Sequence, residues 1–282
     1  MLLDAQRKGV RMTHLLMIGR QSLFLHPSEL RQLRKAQPGA LPDYQWGEYA
    51  DRFFKECLRV EEVSTLDYSS YEGAGLLHDL NQPVGDELKG RFDVIVEAGS
   101  LEHVFNFPVA VANLMNMAKV GGTLSISTVS NNLCGHGFYQ FSPELIFRVF
   151  TRENGFQLGE VLALEARYPG VELVPMTNAF AVPDPVRIGA RVGLMTSRPI
   201  MLFFHARKIA DVIPFSRPPL QSDYVAAWGS HRPFAGSRVP QWVRRLPLYG
   251  SFRNRWRGLT QLREFSLKNK RVFQRLRARG SE

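Results

Sequence analysis

The stretch from Phe92 to Val129, FDVIVEAGSLEHVFNFPVAVANLMNMAKVGGTLSISTV, decides the fold of this chain. It opens on a short apolar run, Phe92 to Val96, behind the turn pair Gly90-Arg91, and such a run suits a strand buried on both faces. Pro108 suits the first turn of a helix, where its missing N–H would have no partner anyway. That helix is expected to run through Ala118, with Val109, Ala112, Leu114, Met115 and Met117 on its apolar side. Gly121-Gly122 is expected to close it, and Thr123 to Val129 alternates as a strand does before Asn131-Asn132 ends it. Strand, helix and strand in direct succession make a crossover between parallel strands.

The same alternation extends in both directions. Upstream, His14 to Gly19 (HLLMIG) is another buried strand stopped by glycine, and Ser28 is placed to cap a helix that Pro38-Gly39 ends. A second helix is expected over Trp46 to Leu58. Strands follow at Glu62 to Tyr68 and Gly75 to Leu80, each ending beside an acid. Downstream, Ser142-Pro143-Glu144 starts a helix that Asn154-Gly155 stops, and Val161 to Ala166 and Pro199 to Ala206 supply two last strands. The pattern predicts an α/β fold: a Rossmann-like, doubly wound, mostly parallel seven-stranded sheet with a basic helical C-terminal extension. The expected organisation is a Rossmann-like domain over 1–208, a Pro-rich connection over 209–250 and a basic amphipathic helix over 251–282. In that helix Leu259, Leu262, Phe265, Val272, Phe273 and Leu276 form an apolar stripe.

Composition bounds the function. The chain has 282 residues, 44% of them hydrophobic, which excludes a disordered or fibrous protein. Its net charge of +10 suggests a nucleic-acid or membrane binder, but the charge is not spread evenly. Residues 231–282 hold 14 basic and two acidic residues, leaving 22 basic and 24 acidic residues in 1–230. The body is near neutral and the tail is cationic. Few aromatics interleave with the tail's basic residues, so an anionic membrane surface or a protein partner is a better match for it than nucleic acid. Cys57 and Cys134 are too far apart for a disulfide framework or a CxxC metal site, and no metal is expected. The apolar run Leu15 to Ile18 is too short for a signal segment, and Ile200 to Phe204 is too short to span a bilayer. The expected location is cytoplasmic, with peripheral attachment to a membrane through the tail.

In an open doubly wound sheet, ligands bind beyond the carboxyl ends of the strands where the strand order reverses. That rule selects Gly19-Arg20-Gln21, Asp67-Tyr68, Asp79-Leu80 and Glu97 to His103. Asp67 is suited to accept two ribose hydroxyls, and Asp79 to accept an exocyclic amine with Leu80 packed on the base. The loop NNLCGHGFYQFSPE, Asn131 to Glu144, lies over the same end. There His136 is a candidate general base, and Tyr139 and Gln140 candidate acceptor ligands. Plainer readings stand beside these: aspartates that bond their own turns, a packed His103, and a loop whose glycines only shape a bend.

Phe92 to Val129 resembles the region around the fourth and fifth strands of class I S-adenosylmethionine-dependent methyltransferases. The turn Leu101-Glu102-His103-Val104, the helix from Pro108, Gly121-Gly122 and the strand after them carry the likeness, which covers ~residues 12 to 208. The resemblance implies S-adenosylmethionine as cofactor, held by Gly19, Arg20, Asp67, Asp79, Leu80, Glu97, Gly99 and Leu101. It implies methyl transfer to O or N of a small-molecule or glycan-type acceptor, with His103, Tyr139 and Gln140 binding the acceptor and His136 and Tyr139 catalytic. The first loop departs from the family. Where a glycine-rich ExGxGxG turn is usual, this chain has MIGRQS, with Gly19 alone and Arg20 placed to pair with the cofactor's carboxylate. That departure leaves room for an inactive methyltransferase-like interaction protein that uses its basic tail, and an RNA methyltransferase stands third.

Overall fold

A computed structural model describes residues 2–7, 9, 12–166, 178–189, 191–230, 255, 258–259, 262 and 265–276. Its centre is a run of parallel strands: β1 (His14–Ile18), β2 (Glu62–Asp67), β3 (Leu76–Leu77), β4 (Phe92–Ala98) and β5 (Ala118–Asn131), in the order β3-β2-β1-β4-β5. Beyond β5 lie β6 (Phe156–Glu165), β7 (Asn178–Ala181), β8 (Ile200–Lys208) and β9 (Gln274–Leu276). β8 is inserted antiparallel between β5 and β6.

Alternation along β1 builds a doubly wound sheet. Leu16 and Ile18 point to one face, where they join Ile95, Leu124, Ile126 and the inner sides of α4 (Phe107–Met117) and α5 (Pro143–Val149). Leu15 and Met17 point to the other, against Phe54 and Leu58 of α3 (Asp51–Leu58). All four β1 side chains are at most 1% exposed, so each contributes roughly 1.5–3 kcal/mol of burial. The sequence order leaves β1 to one side for β2 and to the other for β4. The switch point therefore lies at the carboxyl ends of β1 and β4.

Several boundaries depart from the sequence-based expectation. Gly121-Gly122 does not stop the helix, which ends at Met117, but lies within β5 where the register with β4 shifts. Gly121 has φ +89°, and a Cβ on Gly122 would stand 2.9 Å from the carbonyl oxygens of Asp93 and Lys119, so the pair makes a bulge. α3 is shorter than 46–58, because Gly47 and Glu48 bond Leu23 and Tyr49 bridges Ser22, tying this stretch to the loop after β1. The helix expected from Ser28 is capped at His26 and covers α2 (Pro27–Ala36).

The sheet has nine strands where seven are expected, and the extra two revise the domain plan. β9 pairs with β7, while Leu267 and Phe273, 4% and 2% exposed, join the main core. Residues 266–276 are therefore part of the domain and not part of a separate helix. The cause is physical: β9 covers what would otherwise be an open edge of β7, and Leu267 and Phe273 bury in the main core, while Leu259, Leu262 and Leu276 of the expected stripe stay exposed. Residues 231–254, most of 255–264 and all of 277–282 lie outside the described residues, and with them most of the expected connection and tail. No helix of the described residues is long and apolar enough to cross a membrane.

Candidate functional site

At the end of β1, Gly19 has φ +66°, and a Cβ there would lie 3.2 Å from the Ser100 hydroxyl. Ser100 Oγ donates to the Ile18 carbonyl at 3.1 Å, which pins the loop after β4 to the loop after β1. Arg20 is fully engaged. Its guanidinium lies 4.0 Å from the centre of the Tyr49 ring, its Nε donates to Asp51 Oδ2 at 3.3 Å, and a terminal N–H donates to the Glu72 carbonyl at 3.0 Å. The inserted segment between β1 and β2 thus supplies Tyr49 and Asp51 as fixed partners for Arg20, a role not visible in the sequence.

At the end of β2, Asp67 Oδ1 accepts from the Tyr68 N–H at 2.6 Å, while Oδ2 has no hydrogen-bond partner among the described residues. Asp79 is tied into its own turn. Its Oδ1 accepts from the backbone and side-chain N–H of Asn81 at 2.9 and 2.8 Å, and these bonds hold its carboxyl below the usual range. Leu80 points into the core and does not line an open site. Asn113 of α4 accepts from Val84 N and donates to the Leu80 and Gln82 carbonyls, so this loop is held to the helix.

The turn after β4 is organised by two buried carboxylates. Glu97, 1% exposed, accepts at Oε1 from the N–H groups of Gly99, Ser100 and Leu101, and so caps the short 3-10 turn Leu101–His103. Its Oε2 is buried without a partner. Burial first, and the charge of Glu102 second, push the Glu97 carboxyl up to about 8 against the downward pull of those N–H bonds. Gly99, at φ +107°, shapes the turn, and Leu101 is buried beneath it. Glu102 is completely buried. Its Oε2 accepts from Thr128 Oγ1 at 2.9 Å, and its Oε1 has no hydrogen bond but faces His136 Nε2 at 3.5 Å.

The loop after β5 is laid directly on this turn. Phe138 and Tyr139 donate their N–H groups to the Glu102 carbonyl, and a Cβ on Gly137 would come within 2.7 Å of that oxygen. The His103 and His136 rings sit 5.1 Å apart and both are exposed. Beside them Phe105 and Phe138 meet edge to face at 6.0 Å and are themselves largely exposed. Tyr139 and Gln140 brace the loop. The Tyr139 hydroxyl donates to the Phe105 carbonyl, while Gln140 accepts from Leu133 N and donates to Cys134 Sγ. The structure therefore brings His103 and His136 together and adds Glu102 and Thr128. The sequence marks Glu102 only by its place beside His103 in the turn.

At the same end of the sheet a cavity of about 880 Å³ is lined by Glu165, Arg198, Lys268, Lys270, Phe273 and Arg275, among others. Asn132 donates to the Thr196 and Arg198 carbonyls at 2.9 and 2.8 Å, so the loop carrying His136 is tied to this rim.

Parallel strands in the order β3-β2-β1-β4-β5, a sixth strand beyond them and one antiparallel strand between the fifth and the sixth define the architecture. The fold is a Rossmann-like, doubly wound α/β sheet, mostly parallel in its core. No protein-family model and no curated protein matches the sequence. Among solved structures, the chain is similar to the CMeT domain of a citrinin polyketide synthase, at 10% identity and TM-score 0.39 over 74% of this chain and 51% of that one. It is also similar to the 1,6-didemethyltoxoflavin-N1-methyltransferase of Burkholderia thailandensis, at 14% identity and TM-score 0.38 over 74% of this chain and 76% of that one. The N-methyltransferase NodS of Bradyrhizobium japonicum gives 13% identity and TM-score 0.39 over 74% of this chain and 84% of that one.

Proposed function

We propose that the chain is an S-adenosylmethionine-dependent methyltransferase acting on O or N of a small-molecule or glycan-type acceptor. The observation that carries this reading is the cradle at the carboxyl ends of β1 and β2. There Gly19 is in a left-handed conformation with the Ser100 hydroxyl 3.2 Å from where a Cβ would stand, and Asp67 keeps one carboxylate oxygen unbonded among the described residues. These features fit a nucleoside-bearing cofactor, which needs close backbone approach and an acceptor pair for its ribose. S-adenosylmethionine supplies a methyl group already activated as a sulfonium, so the protein's share of the work is largely alignment. The acceptor is met at the exposed His103–His136 pair, with Phe105 and Phe138 as its apolar border and the cationic rim of the adjoining cavity favouring an acceptor that carries negative charge. In the metal-free site His136, backed by Glu102, takes the acceptor's proton.

Calorimetry of the full chain with S-adenosylhomocysteine tests the reading. Binding is expected, at least tenfold weaker in Asp67→Ala, and lost or sharply reduced in Gly19→Ala, where a Cβ would push into the cofactor-facing loop. Folded wild-type protein that gives no heat overturns it. One observation favours the second reading, an interaction protein without activity: Arg20 is committed to Tyr49, Asp51 and Glu72 and occupies the first loop. The same measurement decides between the two.

A further inference from the structure

We propose that Glu102, His103 and His136 bind one divalent transition cation, with zinc the best match to the donors. One ligand atom from each residue lies within 4.8 Å of the other two. A carboxylate and two imidazoles are the mixed N and O donors that zinc takes, and three protein ligands are the number found where a fourth position is left open.

The geometry is closer to a metal site than to a hydrogen-bonded pair. His136 Nε2 and Glu102 Oε1 stand 3.5 Å apart without a hydrogen bond. Two ligands on a tetrahedral zinc, at bonds of about 2.0–2.2 Å, are separated by ~3.4 Å along the edge of the tetrahedron. That edge is already in place. His103 and His136 are exposed, so rotation of their side chains is enough to close the remaining edges, whereas the buried carboxylate is fixed.

Glu102 Oε1 is the second, independent observation. It is a completely buried carboxylate oxygen without a hydrogen bond, aimed at an imidazole nitrogen, and an oxygen in that state is costly unless something positive or hydrogen-bonding meets it. No Lys or Arg of the described residues forms an ion pair with Glu102. The other oxygen of Glu102 is held by Thr128 Oγ1, the kind of outer contact that fixes a metal ligand's orientation. The two loops that carry the ligands are already locked together by the Phe138 and Tyr139 N–H bonds to the Glu102 carbonyl. The site is thus built before any ion arrives.

His103 and His136 are exposed, so the imidazole side of the site is open to solvent. Placing the acceptor's heteroatom there rests on the methyltransferase reading above; the cation site does not. A cation on Nε2 also removes that nitrogen from service as a base, so the two roles for His136 exclude each other.

The test uses the full chain, stripped with chelator and titrated with Co²⁺ alone, then with Zn²⁺ as competitor. Expected is one Co²⁺ per chain with visible d–d absorption, displaced by Zn²⁺, and an affinity at least tenfold lower in His136→Asn and in His103→Asn. Both histidines are exposed, so these variants fold, as circular dichroism would verify; Glu102→Gln adds the buried ligand. Absence of the visible band, or a band equally strong in the double histidine variant, overturns the site. Calorimetry with S-adenosylhomocysteine on the stripped protein separates the two proposals. Heat without cobalt absorption refutes the cation site alone, and cobalt absorption without heat refutes the methyltransferase reading alone.

Discussion

Replacing Glu97 by Gln should remove a pH dependence that the fold imposes on itself. In the folded protein the Glu97 carboxyl holds its proton up to about 8, whereas in the unfolded chain it titrates near 4.5. Between those values the native state binds the extra proton, so stability falls as pH rises; below the lower value both states are protonated and the effect is fully favourable to folding. Each pH unit in the window removes ~1.4 kcal/mol, so the loss approaches ~5 kcal/mol by the upper end, on the scale of a whole domain's stability. Gln keeps a carbonyl oxygen for the N–H groups of Gly99, Ser100 and Leu101 and has nothing to titrate. Urea unfolding of metal-free wild type and Glu97→Gln, measured at several pH values across the window, gives the difference directly. Wild type should lose stability relative to the variant as pH rises. A difference that stays constant with pH would refute the reasoning that burial without a partner dominates this carboxyl.

Two further outcomes follow from packing. Phe273→Ala should cost about 3–5 kcal/mol in urea unfolding, because the ring is 2% exposed in the main core; a change near zero would restore the picture of a free C-terminal helix. Of the two thiols, exposed Cys134 should react rapidly with a thiol reagent in native protein. Cys57 should react only on unfolding, since it is enclosed and burial pushes its thiol up; two fast thiols, or a fast thiol persisting in Cys134→Ser, would contradict this.

The central sheet was legible because its strands are buried on both faces, and continuous apolar runs such as His14 to Ile18 and Phe92 to Val96 have no other economical reading. The helix caps were legible where a side chain carries the signal, as with Ser142, which accepts from Leu145 N at the start of α5. What escaped was non-local. Phe273 also fits a helical stripe with Leu276, and only its place in the main core beside the β7–β9 pairing decides against it. Gly121-Gly122 carries a stop signal that the register of β4 and β5 converts into a bulge. At the site, the ends of β1, β2 and β4 were found by the topological rule, and His103 and His136 by their loops. Asp79 and Gln140 turned out to spend polar atoms on their own loops and Tyr139 on the neighbouring loop at Phe105, a choice among equivalent hydrogen-bond partners that sequence spacing does not encode. Glu102 was hidden for the opposite reason: an acid in an exposed-looking turn is ordinary until the turn is seen to direct it inward.

The pairing of β9 with β7 bears on how the chain comes to be folded during synthesis. β7 is made early, but the strand that covers it emerges only after α6 (Pro185–Ile188), β8 and α7 (Ser222–Ser230) have been translated. Throughout that interval the nascent domain presents a bare strand and a core still lacking Leu267 and Phe273. Chains that have not yet exposed residues 266–276 are therefore the form of this protein most prone to pair with one another.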